Sequence, residues 1–206
     1  MARTLLVLFV ALVLAGCGSS GSEDPVKGFK TSDKDGYSGA FLEEPYAVPG
    51  VALTDTDGKP FDLSAQDKRT LVFFGYTNCP DICQVVMSTI VSAVARLSPE
   101  EQRQVQVAFI TTDPARDTPA KLRTYLDRFD PEYVGLTGPI KRIDQLAQPM
   151  KVFIKKGEKL PSGGYAVDHS THVVAVDQGA GDLLWTGATS PADMAEDIEK
   201  ILAAEQ

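Results

Sequence analysis

The apolar run Leu71-Val72-Phe73-Phe74-Gly75 is followed by a segment in which Val86, Met87, Ile90, Val94 and Leu97 recur at three- and four-residue steps, and VQVAFITT at 105–112 then returns to a strand pattern. A compact apolar run suits a buried strand, and the longer period suits a helix with one buried face. The alternation continues. Thr118 stands as a helix N-cap with Pro119 at the first helical position and Leu122, Leu126 and Phe129 as the inward stripe. A short helical piece is expected at 143–148, and MKVFI at 150–154 reads as a strand. HVVAVD and DLLW form a hairpin across QGAG, and Ser190-Pro191 opens a last helix that turns Met194, Ile198 and Ile201 or Leu202 inward. Upstream, VALTDTDGKPFDLSA holds two short candidate strands around an Asp-Gly turn. Strands alternating with helices imply an α/β layer fold, and the terminal hairpin makes its central sheet mixed.

The N-terminus sets the compartment. Arg3 is the only charge before an apolar run from Leu5 to Ala15, which closes with Leu14-Ala15-Gly16-Cys17. A charged start, a short apolar stretch and small residues describe a secretory signal, too short for a membrane span. LAGC resembles the lipobox of bacterial lipoproteins, so residues 1–16 are expected to be a signal peptide and Cys17 the lipidated first residue of the mature chain. An ordinary signal peptide would leave Cys17 as an odd thiol. Residues 17–44 begin with almost no large apolar side chains and are expected to be a flexible tether, leaving 45–206 as one domain. The formal net charge is −8, or −9 once Arg3 leaves with the signal, which argues against nucleic acid or an anionic membrane face as partner.

Cys79 and Cys83 stand in GYTNCPDIC, where the LVFFG strand hands over to its helix. Ligand sites gather at such strand ends. Helical geometry from Cys79 would stack both sulfurs on one face, and a helix N-terminus favours the thiolate. Three uses compete. A structural disulfide closing so small a loop stabilises by only about 2 kcal/mol. A redox couple would resemble the thioredoxin arrangement, with Cys-x3-Cys in place of Cys-x2-Cys. A soft-metal clamp would suit Cu(I), whereas zinc would want four ligands.

The only histidines are His169 and His172. Their spacing puts them on opposite faces of an extended chain, so at most one is expected to face the thiols. Imidazole beside two thiolates accommodates Cu(II) as well as Cu(I). Asp168 is a candidate acceptor to orient the ring.

GYTNCPDIC, FITTDPARDTP at 109–119, GLTG at 135–138 and VDHS at 167–170 resemble, in order and spacing, the Sco/SenC proteins, copper-binding assembly factors of cytochrome oxidase. The resemblance implies a thioredoxin-like fold with an inserted hairpin and a copper site of Cys79, Cys83 and His169, leaving His172 out. Asp113 is expected to shape the loop before Thr118 rather than to act in copper transfer. Gln84 departs from the family, which usually has proline after its second cysteine.

On this resemblance the chain is an extracytoplasmic, lipid-anchored copper chaperone. It would hold Cu(I) or Cu(II) and deliver it to the dinuclear copper site of cytochrome c oxidase subunit II, with other copper chaperones or thioredoxin-like reductants as further partners. The alternative is a thiol-disulfide oxidoreductase that uses Cys79 and Cys83 as its catalytic redox pair and has no need of His169. A peroxidase fits poorly, because the PxxxTxxC pattern is missing before Cys79. Trp185 and the acidic last helix are open to either a partner surface or core packing.

Overall fold

The computed structural model describes residues 36–159 and 164–204. Cys17, the signal peptide and most of the expected tether lie outside the described residues. The central strand is β4 (Arg69–Gly75), all seven residues of which are buried. It pairs in parallel with β5 (Val105–Thr111) and antiparallel with β9 (Val173–Asp177). With β1 (Ala40–Ala47), β6 (Val134–Leu136) and β10 (Ala180–Trp185), they form a six-stranded mixed sheet in the order β1-β10-β9-β4-β5-β6.

Helices cover both faces, as the α/β expectation required. Alternation along β4 sends Leu71 and Phe73 to one side, where they meet α1 (Ile82–Val94), α3 (Pro119–Leu126) and α5 (Pro191–Ala204) through Met87, Leu122 and Ile198. Val72 and Phe74 face the other side and join Ile143 and Leu146 of α4 (Ile140–Ala147), with Leu42 of β1. The expected hairpin at 51–65 is β2 (Ala52–Thr54) with β3 (Pro60–Asp62), clipped to the chain after β6 by paired Thr54 and Thr137 backbone bonds of 2.8 Å each. The turn between β9 and β10 is Gln178-Gly179, both at positive φ, the geometry a two-residue hairpin needs.

Two expectations shift, and Trp185 takes one of the two places left open for it. Strand β1 begins at Ala40 and pairs with β10, so residues 40–44 belong to the sheet and not to the tether. MKVFI is not a strand as a unit: Val152 N–H returns to the Ala147 carbonyl at 2.9 Å and Lys151 takes φ 56, so Met150 and Val152 bury their side chains in the turn that follows α4. The strand there is β7 (Ile154–Lys159), which pairs only with β8 (Tyr165–His169) in a separate ribbon. Trp185 is 2% exposed, and among the described residues its place is the core rather than a partner surface.

Candidate metal centre

Helix α1 begins at Ile82, with Asp81 as its side-chain cap, so Cys79 precedes the helix and the two cysteines do not stack on one helical face. A turn does the work instead. Cys79 N–H donates to the Tyr76 carbonyl at 3.2 Å, which folds the loop so that Cys83 N–H, in the first helical turn, donates to Cys79 Sγ at 3.3 Å. The first amides of a helix lack intrahelical acceptors, and a thiolate is a good partner for one. Gln84 is exposed and its N–H donates to the Asp81 carbonyl at 3.1 Å, a bond that proline could not make.

The loop is fixed from behind by Asp117, which is fully buried. Its carboxylate accepts from Thr77 N–H at 3.0 Å, Thr77 Oγ1 at 2.6 Å and Thr111 Oγ1 at 2.7 Å. Asp113 belongs to the same turn: its N–H donates to Thr111 Oγ1 at 2.9 Å, and its carboxylate forms an ion pair with Arg116 and accepts from Tyr165 Oη at 2.7 Å. Asp113 thus shapes the loop, as expected, and also touches the ribbon that carries His169.

His169 ends β8 and points its Nε2 at Cys83 Sγ, 3.6 Å away. Its Nδ1 lies 2.8 Å from the Ser170 carbonyl, which can only accept. The proton of the neutral ring therefore sits on Nδ1, and the Nε2 lone pair faces the sulfurs. Asp168 does not orient the ring. Strand alternation turns it to the opposite face, across from Lys155, and it is exposed. His172 turns away as well, its Nε2 3.0 Å from the Met150 carbonyl, and burial pulls its pKa down. Tyr76 and Phe73 pack their rings against His169 at 5.8 and 6.3 Å.

One ligand atom each from Cys79, Cys83 and His169 lies within 4.8 Å of the others, the sole such grouping of soft or carboxylate donors among the described residues. The donor set of two sulfurs and one imidazole suits copper. The thiols are unequal. Cys79 is held well below the ordinary thiol range, first because the Cys83 thiol hydrogen-bonds to it, against the cost of burial, and with help from the Cys83 and Asp81 amides. Cys83 is pushed up, because it keeps the proton it shares with Cys79 and is more deeply buried. A depressed pKa preserves thiolate as pH falls. In the reduced, metal-free chain, iodoacetamide is therefore expected to modify Cys79 first, with little rate loss from pH 8 to pH 6. An ordinary thiol slows by roughly two orders of magnitude over that range. Peptide mapping by mass spectrometry reads the outcome, and an ordinary fall in the Cys79 rate would contradict the assignment.

Asp117, Thr77 and Tyr165 escaped the sequence analysis as individuals. The only signal was the crowding of two aspartates, an arginine and three threonines into TTDPARDT.

A mixed sheet with a thiol pair at the end of its central strand and an imidazole facing that pair defines a thioredoxin-like protein built for soft metal or thiol chemistry. The sequence model of the SCO1/SenC family matches residues 44–203, and the chain belongs to that family. It is 35% identical over 127 residues to the mitochondrial protein SCO2 of Saccharomyces cerevisiae, a match covering 61% of this chain and 42% of that one. Thus the chain spans less than half the length of that relative. The solution structure of apo Sco1 from Thermus thermophilus superposes with a TM-score of 0.72 at 33% identity, covering 82% of this chain and 99% of that one. Copper-bound ScoI of Bradyrhizobium japonicum gives 0.65 at 33% identity, covering 75% and 99%.

Proposed function

We propose that this protein is a copper chaperone that binds Cu(I) or Cu(II) through Cys79, Cys83 and His169 and delivers it to the dinuclear copper site of cytochrome c oxidase subunit II. In this reading a lipid on Cys17 holds the domain at the extracytoplasmic face of the cell membrane, and the segment after Cys17 lets it reach its partner. The observation that carries it is the Nε2 of His169 facing the thiol pair, with its proton held on Nδ1 by Ser170. Copper takes that lone pair as a ligand, whereas a dithiol reductase could use it only as a base for the Cys83 thiol. Copper-bound ScoI of Bradyrhizobium japonicum supports the choice of metal.

Copper here is cargo, and its transfer is ligand exchange. Cys83 is fully buried and Cys79 is 6% exposed, so an incoming thiolate must approach from the side of Cys79 and the half-buried His169. A two- or three-coordinate ion accepts the new ligand before the old ones leave. Other copper chaperones would load the site, and thioredoxin-like reductants would keep its thiols reduced.

The unequal thiols favour a second reading, thiol-disulfide exchange with the cysteines of subunit II. The Cys79 thiolate attacks the partner's disulfide, Cys83 then displaces the partner's sulfur, and the partner leaves with both electrons as two thiols, one proton coming from Cys83 and the other from water. His169→Ala separates the two. In cells lacking the native protein, the variant is expected to leave oxidase activity near the background of the deletion strain, and the purified full chain to lose Cu(II). Oxidase restored to the wild-type level by the alanine variant would hand the function to the reductase.

A further inference from the structure

The ribbon of β7 and β8 is hydrogen-bonded only to itself among the strands, so something other than the main sheet must hold His169 in place. Tyr165, Val167 and His169 alternate onto one face of β8, with Ile154 across from His169. On that face Val167 N–H reaches Tyr76 Oη at 3.4 Å, a long bond, while Tyr165 Oη donates to buried Asp113 at 2.7 Å. Arg116, paired with the same Asp113, lies 3.8 Å over the Tyr165 ring. Behind them, the Asp113 carbonyl accepts from Asp117 N–H at 2.9 Å, and Asp117 holds Thr77 of the thiol loop. One unbroken set of polar contacts therefore runs from the loop of Cys79 to the far end of the strand that presents His169.

We propose that the Tyr165 hydroxyl is a latch that holds His169 beside the thiols and so sets how far the site favours Cu(II) over Cu(I). The proposal rests on the copper reading above. Two thiolates suffice for Cu(I), whereas Cu(II) draws on the imidazole as well. With the latch closed, the third ligand arrives already placed. With it open, the ribbon must first be ordered, and that cost falls on Cu(II) alone. Tyr165 is a positioning residue, since it touches neither sulfur nor metal.

The test compares the full chain with Tyr165→Phe, which keeps the ring under Arg116 and removes only the hydroxyl. Copper affinities are read by competition with chromophoric chelators for each oxidation state, and backbone amide exchange over 165–169 is read in the metal-free chain. The variant is expected to lose roughly tenfold in Cu(II) affinity, the effect of removing an outer partner of a ligand. Cu(I) affinity stays within about twofold, since its two thiolates are untouched, and amides 165–169 exchange faster. Lys156→Ala removes the other cation near the ring, at 4.0 Å, and is expected to change none of the three. Unchanged exchange in Tyr165→Phe overturns the latch. Equal loss of Cu(I) and Cu(II), or faster exchange with Cu(II) binding intact, overturns its role in selection. A wild-type chain that binds no copper sinks the copper reading instead, and the exchange measurement then decides the latch alone.

Discussion

Cys83→Ser is expected to cost Cu(I) affinity at least about a thousandfold, well beyond the 10- to 100-fold typical of losing an outer partner of a ligand. The serine hydroxyl does not ionise near neutral pH and is a hard donor, so the site would keep one thiolate and one imidazole for an ion that prefers sulfur. The fold should survive. Serine is close to cysteine in size, the side chain lies in the same buried cluster as Phe73 and Met87, and the backbone N–H that caps onto Cys79 Sγ is retained. A buried hydroxyl needs a partner, and His169 Nε2 stands where the Cys83 sulfur already meets it. The stability cost is therefore about 1 kcal/mol or less. Chelator competition with Cu(I), beside a thermal melt of the same sample, separates the effects. A variant that binds Cu(I) within tenfold of wild type would remove Cys83 from the ligand set.

Four of the six sheet strands, β4, β5, β9 and β10, were legible in the sequence because their apolar residues run nearly together, whereas β1, with Glu43-Glu44-Pro45 inside it, and the three-residue β6 were not. LVFFG is buried on both faces, as is VQVAFITT but for half-buried Gln106, and the hairpin of β9 and β10 announces itself by Gln178-Gly179. Helix α2 (Pro99–Gln104) was missed although Ser98 and Glu101 form a reciprocal capping box, at 2.7 and 3.3 Å, because it is short and has no buried residue to mark an apolar period. The reading of MKVFI failed for the opposite reason. Met150 and Val152 are core-facing, but the turn after a helix buries them as readily as a strand does, and Phe153 is exposed.

The site divides in the same way. Cys79, Cys83 and His169 were nameable because their chemistry is rare in this chain, which has three cysteines and two histidines. Their support was not. Asp117 and Asp113 are common residue types whose importance comes from burial at the end of β5, and nothing local in TTDPARDT says that Tyr165, 52 positions beyond Asp113, is the partner. The orientation of His169 by the Ser170 carbonyl in place of Asp168 likewise follows from strand phase, which places neighbours on opposite faces.

Asp197→Ala should destabilise the domain more than any change at the metal site while leaving copper binding intact. Asp197 interrupts the apolar stripe of α5 one position before Ile198 and is fully buried. Its two oxygens accept from Ser38 N–H at 2.9 Å, Gly39 N–H at 2.7 Å and Trp185 Nε1 at 2.9 Å, joining the last helix to the end of β10 and to the segment just before β1. A Cβ on Gly39 would fall 2.7 Å from the Trp185 ring, so the chain is already as close as it can pack. Alanine leaves the buried Trp185 Nε1–H and the half-buried Gly39 N–H without an acceptor, each costing about 1–3 kcal/mol, while water can take over the N–H of exposed Ser38. A net loss of about 4 kcal/mol lowers Tm by roughly 8–16 °C for a domain of this length. Asparagine is expected to rescue only in part, since its amide nitrogen would face a donor in place of an acceptor. Because none of these contacts reaches Cys79, Cys83 or His169, Cu(I) affinity measured well below the transition should match wild type. A melt displaced by less than about 3 °C, under 2 kcal/mol on that scaling, would mean that β1 is held by its pairing with β10 and not by this carboxylate.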